Sequence, residues 1–164
     1  MSIIEIYNTH CCGEIGDVIV AGDIQLEGET IFEQSKYLFE NKKFRNFVLN
    51  EPRGGVFKHC NLIVSAKNKD ASAGFIIMEP EDNPPMSGSN SICVATVLLE
   101  KNLIKSNEPF TNFILEAPGG LISIKAEVKN KITKSVEIEN LSSFVDLLDA
   151  KLKTQSFGEI IVST

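Results

Sequence analysis

An apolar run at residues 92–99 (ICVATVLL) constrains the fold most, because it offers no polar face to solvent. Its length suits a helix, and Ser89, Asn90 and Ser91 before it are residues that cap helix N termini. A helix that is apolar all round must be covered on every side. The rest of the chain therefore has to build a core around this segment.

Strand patterns surround that segment. They are short, rich in β-branched and aromatic residues, and bounded by glycine, proline or asparagine. They lie at residues 3–7, Asp17–Ala21, 61–65, 74–78, 113–116, 121–128, 135–139 and 157–162. We predict an α+β fold in which a strongly curved, mostly antiparallel and barrel-like sheet wraps around the buried helix.

A second helix is predicted in the first third of the chain. Thr30 followed by Glu33 has the spacing of a capping box. Apolar residues at helical spacing then predict one long amphipathic helix over residues 31–49, which Pro52 and the glycines after it bring to an end. The basic residues of that helix are predicted to form a solvated face: Lys42, Lys43 and Arg45.

Length and charge narrow the functional classes. With 164 residues, of which 43% are hydrophobic, the chain is predicted to form a single soluble domain over 1–164. We find no apolar run of about 20 residues and no basic, signal-like N terminus, and expect a cytoplasmic protein without a membrane partner. A net charge of -6 argues against nucleic acid as a partner.

The cysteines lack the spacing of a metal site or a disulfide framework. None of the four (Cys11, Cys12, Cys60 and Cys93) belongs to a CxxC pair. We expect small buried thiols, no disulfides and no metal, even though His10 precedes two of them. Cys93, inside the apolar helix, is predicted to pack in the core.

Residues 87–90 (SGSN) form the most informative turn, because they lead into the first turn of the apolar helix. Free backbone N–H groups and the helix dipole make such a position suitable for a carboxylate. Gly88 allows a ligand to approach the backbone closely. Helix capping alone also explains these residues, so both interpretations stay open at this point.

The window around this turn, PPMSGSNSICVATVLLE, resembles the first active-site motif of the proline racemase superfamily. In that motif a Met-Cys-Gly-His segment opens a buried helix. Further stretches resemble family segments in the same order: residues 8–18 (NTHCCGEIGDV), 51–55 (EPRGG), 115–121 (LEAPGGL) and 135–144 (SVEIENLSSF). The resemblance implies one half of the two-domain proline racemase or diaminopimelate epimerase-like fold.

The resemblance implies α-proton transfer on proline or a hydroxyproline, without a cofactor. Ser87 takes the first acid/base position, while Gly88 and Ser89, with Asn90, line the substrate carboxylate. Serine in place of the usual cysteine points to hydroxyproline chemistry, either of the 4-hydroxyproline 2-epimerase type or of the trans-3-hydroxy-L-proline dehydratase type.

The family pattern also implies a missing part. Relatives have about twice this length, and their second half carries an Asp-Arg-Ser-Pro motif that has no counterpart here. We therefore expect a truncated N-terminal half that exposes apolar surface and is catalytic only with a complementary C-terminal half. A homodimer of this chain is expected to bind a small imino acid with little or no turnover. A non-catalytic relic or imino-acid-binding domain is the alternative.

Overall fold

Residues 3–22 and 24–163 are described by a computed structural model of the protein. The helices are α1 (Ile31–Glu40), α2 (Lys42–Leu49) and α3 (Gly88–Glu100). The strands are β1 (Glu5–Tyr7), β2 (His10–Cys11), β3 (Glu14–Ile15), β4 (Asp17–Ala21), β5 (Cys60–Val64), β6 (Ala73–Met78), β7 (Phe110–Ala117), β8 (Gly120–Lys129), β9 (Ile132–Glu139), β10 (Ala150–Thr154) and β11 (Gly158–Val162).

One large mixed sheet organises the described chain. Its strand order is β1-β4-β5-β6-β7-β8-β9. The pairs β4–β5 and β6–β7 are parallel and the other neighbours are antiparallel. The predicted α+β class and the mostly antiparallel pairing are confirmed, whereas the barrel-like curvature stays a prediction.

Helices cover both faces of the central strands. Along β6 every residue is buried, and successive side chains alternate between two apolar clusters. Phe75 and Ile77 join the cluster that contains α3, while Ile76 and Met78 join the cluster that contains α1 and α2. This alternation explains why the strand reads as a continuous apolar run.

Helix α3 is the buried helix that the sequence predicts. It packs against β4, β5 and β9 of the large sheet and against the short strand β2. Its residues Cys93, Val94 and Leu98 are at most 2% exposed. It has 13 residues, and none of the helices in the described chain is long and apolar enough for a membrane span.

The predicted long helix over residues 31–49 is wrong in one respect, because the structure divides it at Asn41 into α1 and α2. The backbone N–H of Asn41 donates to the Leu38 carbonyl, and its side chain accepts from the Phe44 N–H at 3.1 Å. Asparagine therefore ends one helix and caps the next, since its amide competes with the backbone for hydrogen bonds. The Thr30 capping box is confirmed.

The final hairpin, β10–β11, stands apart from the large sheet. Its second strand confirms the pattern at 157–162, while β10 and the short β2–β3 hairpin are missing from the sequence prediction. Residues 144–161 carry large exposed apolar side chains: Phe144, Val145, Leu147, Leu148, Leu152, Phe157, Ile160 and Ile161.

Candidate active site

Ser87 caps the N terminus of α3. Its backbone is extended (φ -149°, ψ 131°), and its Oγ accepts from the Asn90 N–H at 3.4 Å. The Ser87 carbonyl accepts from the Ser91 N–H at 3.0 Å and from the Ser91 hydroxyl at 2.6 Å. These bonds fix where the turn enters the helix, and hence where the Ser87 hydroxyl lies.

The next two backbone N–H groups, of Gly88 and Ser89, have no acceptor among the described residues. Both residues are half-buried, and the first turn of α3 contains no acidic side chain. A Cβ atom at Gly88 would lie 3.1 Å from the Ile138 side chain, so glycine keeps this position uncrowded. Two free donors at the positive end of a 13-residue helix are suited to a small carboxylate.

The hydroxyl of Ser87 is held by its own turn. Its Oγ accepts from Asn90 Nδ2 at 3.0 Å and lies 3.2 Å from Ser89 Oγ. The described contacts of this hydroxyl are therefore with neutral groups, and none of them is a general base. What the arrangement provides is an oxygen that accepts hydrogen bonds from Asn90.

Asn61, which the sequence predicts in a strand but not in the site, lies beneath this turn. It is fully buried on β5, and its Nδ2 donates to Asn90 Oδ1 at 2.8 Å and to the Gly16 carbonyl at 3.1 Å. Its own Oδ1 is buried without a partner among the described residues. Leaving a buried polar atom unpaired costs about 1–3 kcal/mol. The available signal was an amide inside an otherwise apolar strand.

Gly16 lets the N-terminal segment approach α3 closely. A Cβ atom here would lie 2.9 Å from Asn90 Oδ1 and 2.9 Å from Cys93 Sγ. A larger residue therefore does not fit here unless the Asn90 and Cys93 side chains move. This close approach brings the Gly16 carbonyl within reach of Asn61.

A buried ion pair fixes the same segment. Asp17 and Lys58 pair directly, with Asp17 1% and Lys58 9% exposed. The Asp17 carboxylate also accepts from Asn8 Nδ2 at 2.6 Å and from the Thr9 N–H at 3.0 Å. Residues 8–18 (NTHCCGEIGDV), which resemble a family segment, thus anchor strand β4 next to α3.

Arg45 corrects the prediction of a solvated basic face. Lys42 and Lys43 are exposed as predicted, but Arg45 is only 4% exposed. Its guanidinium donates to the Asn83 side chain and, at 2.7 Å, to the Glu79 carbonyl. Burial lowers the pKa of Arg45 from its ordinary value, because it disfavours the charged form. The arginine faces the 79–85 loop, which supplies the oxygens that accept its hydrogen bonds.

The loop before Ser87 is also anchored at two other points. Asn83 Nδ2 donates to the Ser35 carbonyl at 3.1 Å, and the Gly119 N–H donates to the Pro85 carbonyl at 2.8 Å. Helix α1 therefore holds the loop at Asn83, and the β7–β8 turn holds it at Pro85. The catalytic candidate thus follows a segment that is tied to three elements.

The four cysteines are free and differ in burial. Cys60 and Cys93 are in the core, as predicted, and burial raises the pKa of Cys93 and raises that of Cys60 to about 12. The prediction of buried thiols is wrong for Cys12, which is exposed at the β2–β3 turn with φ 51°. Cys11 is half-buried. A tight turn between two short strands cannot bury the side chains of both adjacent cysteines.

The described hydrogen bonds and ion pairs of the two histidines do not include Ser87. His10 Nδ1 accepts from the Gly13 N–H at 3.2 Å. His59 Nδ1 lies 3.7 Å from a Glu14 oxygen and 3.6 Å from a Glu79 oxygen. Across residues 3–22 and 24–163, no three His, Cys, Asp or Glu side chains are grouped to hold a metal ion.

Solved structures share this fold over nearly the whole chain. A hydroxyproline epimerase from Agrobacterium vitis, with bound trans-4-hydroxy-L-proline, is 39% identical with a TM-score of 0.87. A probable proline racemase from Agrobacterium radiobacter, with bound carbonate, is 36% identical with a TM-score of 0.88. In each case the match covers 98% of this chain and 48% of the other.

A more distant structure, a methylitaconate-delta-isomerase, shares the fold at 16% identity with a TM-score of 0.54. The chain thus spans about half the length of the structures that it matches. A family model described as proline racemase matches residues 6–164. With that match, and with identities of 39% and 36% to the two Agrobacterium proteins, this chain belongs to the proline racemase family.

Proposed function

We propose that the N-terminal turn of α3 provides one face of a site for cofactor-independent α-proton transfer on a hydroxyproline, of the 4-hydroxyproline 2-epimerase type. Ser87 exchanges the proton, and the N–H groups of Gly88 and Ser89 hold the substrate carboxylate. Asn90, which the family resemblance also places at the carboxylate, is 1% exposed and directs its backbone N–H and its side-chain NH2 to Ser87 Oγ instead. The observation that carries the proposal is the pair of unpaired N–H groups beside the Ser87 hydroxyl. The hydroxyproline-bound relative, at 39% identity, supports the substrate class.

The proposed step needs Ser87 in its deprotonated form. The Cα–H bond of the substrate breaks, its electron pair delocalises into the carboxylate, and the proton forms an O–H bond with Ser87 Oγ. The N–H groups of Gly88 and Ser89 then stabilise the charge that grows on the carboxylate. Inversion is completed when an acid on the opposite face delivers a proton to the same carbon.

The opposite face has to come from another polypeptide segment, either a complementary C-terminal half or a second copy of this chain. Two features support this part of the proposal. Ser87 and Gly88 are only half-buried, and the region from Phe144 to Ile161 exposes large apolar side chains. A second wall excludes water, which strengthens the effect of the fixed N–H dipoles.

A second candidate is an imino-acid-binding domain without turnover. The observation that favours it is that the described partners of the Ser87 hydroxyl, Ser89 and Asn90, are neutral. A serine without an adjacent base is a weak proton acceptor near neutral pH. Such a chain binds the carboxylate and leaves the Cα–H bond intact.

Proton NMR in D2O separates the two candidates. We expect the α-proton signal of trans-4-hydroxy-L-proline to disappear with this chain, and the trans-3 isomer tests the dehydratase alternative in parallel. Ser87→Ala abolishes the loss, whereas Ser123→Ala, at an exposed serine on β8, leaves it unchanged. Binding in calorimetry without any exchange contradicts catalysis by this chain alone, and supports either a half that needs a complementary C-terminal half or the binding domain.

Ser87→Cys sharpens the test. A thiol has a reference pKa of about 8.5 and is ionised more easily than a hydroxyl, the more so at a helix N terminus. We therefore expect α-proton exchange to rise in this variant. An unchanged rate would indicate that the residue does not take part in proton transfer.

A further inference from the structure

We propose that Asn61 is a positioning residue: it fixes the side-chain amide of Asn90 so that the NH2 group faces Ser87 Oγ, and thereby directs the hydroxyl proton of Ser87 away from Asn90. This inference rests on the proposed role of Ser87 in proton transfer. The residue lies on β5 beneath the turn and does not contact the proposed substrate position.

The orientation follows from two backbone carbonyls. Asn61 faces the carbonyls of Gly16, at 3.1 Å, and of Asp17, at 3.4 Å, and a carbonyl only accepts hydrogen bonds. Asn61 must therefore present its NH2 group to them. The same nitrogen lies 2.8 Å from the Asn90 amide, which must turn its oxygen toward Asn61.

The orientation of the Asn90 amide determines which of its atoms faces Ser87. Because Asn90 Oδ1 faces Asn61, its Nδ2 faces Ser87 Oγ at 3.0 Å. The Asn90 backbone N–H points to the same oxygen at 3.4 Å. Two donors occupy the inner side of this oxygen, so its own proton is directed toward Ser89 Oγ, at 3.2 Å, or toward the open side of the turn.

The position of Asn61 is rigid. It pairs with Val18 on β4 and with Ile77 on β6, two strands of the sheet interior. Its neighbours Cys60 and Leu62 point into the cluster beneath α1 and α2. Asn61 therefore points to the other face, where α3 begins, and cannot rotate away without breaking its bonds to the buried carbonyls.

The consequence concerns the oxygen that exchanges the proton. Hydrogen bonds donated to an oxygen favour its deprotonated form. In the opposite orientation, Asn90 would present its oxygen, and the Ser87 hydroxyl would donate inward and lose contact with a substrate. Asn61 thus selects the orientation in which the proton of Ser87 can pass to and from a substrate carbon.

NMR of the isotope-labelled full chain tests the inference without relying on turnover. In the wild type we expect strong nuclear Overhauser contacts between the Asn90 side-chain amide protons and the Ser87 β-protons. We also expect those amide protons to exchange about ten times more slowly than the exposed Asn130 amide. Even without any variant, strong nuclear Overhauser contacts between the NH2 protons of Asn90 and those of Asn61 would overturn the inference.

Asn61→Leu removes the donor and conserves the approximate volume. We expect it to abolish the Asn90–Ser87 contacts and to speed Asn90 exchange about tenfold. The matched control is Gln34→Met, since Gln34, on the buried side of α1, is also a buried amide with an unpaired oxygen. The control leaves both signals in place, and a folded Asn61→Leu chain that retains them contradicts the inference.

Titration with trans-4-hydroxy-L-proline separates this inference from the proposed function. Shifts of the Gly88 and Ser89 backbone amides support the carboxylate site. If those amides do not shift while the Asn90 orientation is as described, the proposed function fails and the structural role of Asn61 stands.

Discussion

Strand β8 and the hairpin β10–β11 are both paired in antiparallel ladders, yet they differ in what covers them. On β8, Ile122, Ile124 and Ala126 are at most 2% exposed, because they join the apolar clusters around α3. In the hairpin, Leu152 is 50% and Ile161 67% exposed. Backbone pairing therefore does not by itself make a stable element; burial of one face does.

The largest expected difference comes from removing an aromatic ring in each region. Phe75→Ala empties a fully buried position beneath α3 and should lower the free energy of unfolding by about 3–5 kcal/mol. Phe157→Ala, at an 82% exposed residue in the hairpin turn, should change it by less than about 0.5 kcal/mol. Urea denaturation measures both, and equal losses would break the comparison.

A second pair of variants removes a lysine from an ion pair in each region. Lys58→Met leaves the buried Asp17 carboxylate without its cation and should cost about 3 kcal/mol, since the bonds from Asn8 and the Thr9 N–H remain. Lys151→Met breaks the exposed pair with Glu159 and should cost less than about 1 kcal/mol. Thermal unfolding at matched salt checks both values.

Alkaline pH should weaken the covered region through Cys60. Burial raises the pKa of this thiol from 9.0 to about 12, so between these values the folded chain keeps a proton that the unfolded chain releases. The free energy of unfolding should therefore fall as pH rises above 9, by up to about 1.4 kcal/mol per pH unit. Cys60→Ala removes this part of the slope, while Cys12→Ala, at an exposed thiol, retains it.

The smallest expected effects come from the capping hydroxyls. Ser87→Ala removes the acceptor for the Asn90 N–H and should cost about 1 kcal/mol of global stability. Thr154→Ala removes the acceptor for the Phe157 N–H in the hairpin turn. It should speed amide exchange there without changing global unfolding, because the hairpin opens locally. A global loss in the second variant would show that the hairpin unfolds with the sheet.

Local patterns account for the parts of the fold that sequence predicted well. The apolar run of α3, the capping box at Thr30 and the strand Asp17–Ala21 each depend on neighbours within a few residues. The break at Asn41 escaped prediction because apolar spacing continues across it, while one amide ends the helix. β10 escaped because its alternation of lysines with Ala150, Leu152 and Thr154 also reads as a polar loop.

The candidate site divides in the same way. The Ser87 turn was predictable, since small residues before an apolar helix mark an N terminus whatever the surroundings. Arg45 and Asn61 were not, because their partners lie far along the chain: Arg45 bonds to a carbonyl 34 residues away, and Asn61 to an amide 29 residues away. A basic residue on a helix and a polar residue in a strand look like surface positions until those partners are placed.

By itself, the sequence determined the α+β class, the buried helix, the position of Ser87 at its N terminus and the membership of the proline racemase family. The tertiary structure decided which side chains lie behind that turn and which apolar residues are exposed to solvent. The physical reason is that capping and periodicity act within a few residues, whereas burial and amide orientation depend on contacts between strands and helices that are distant in the chain.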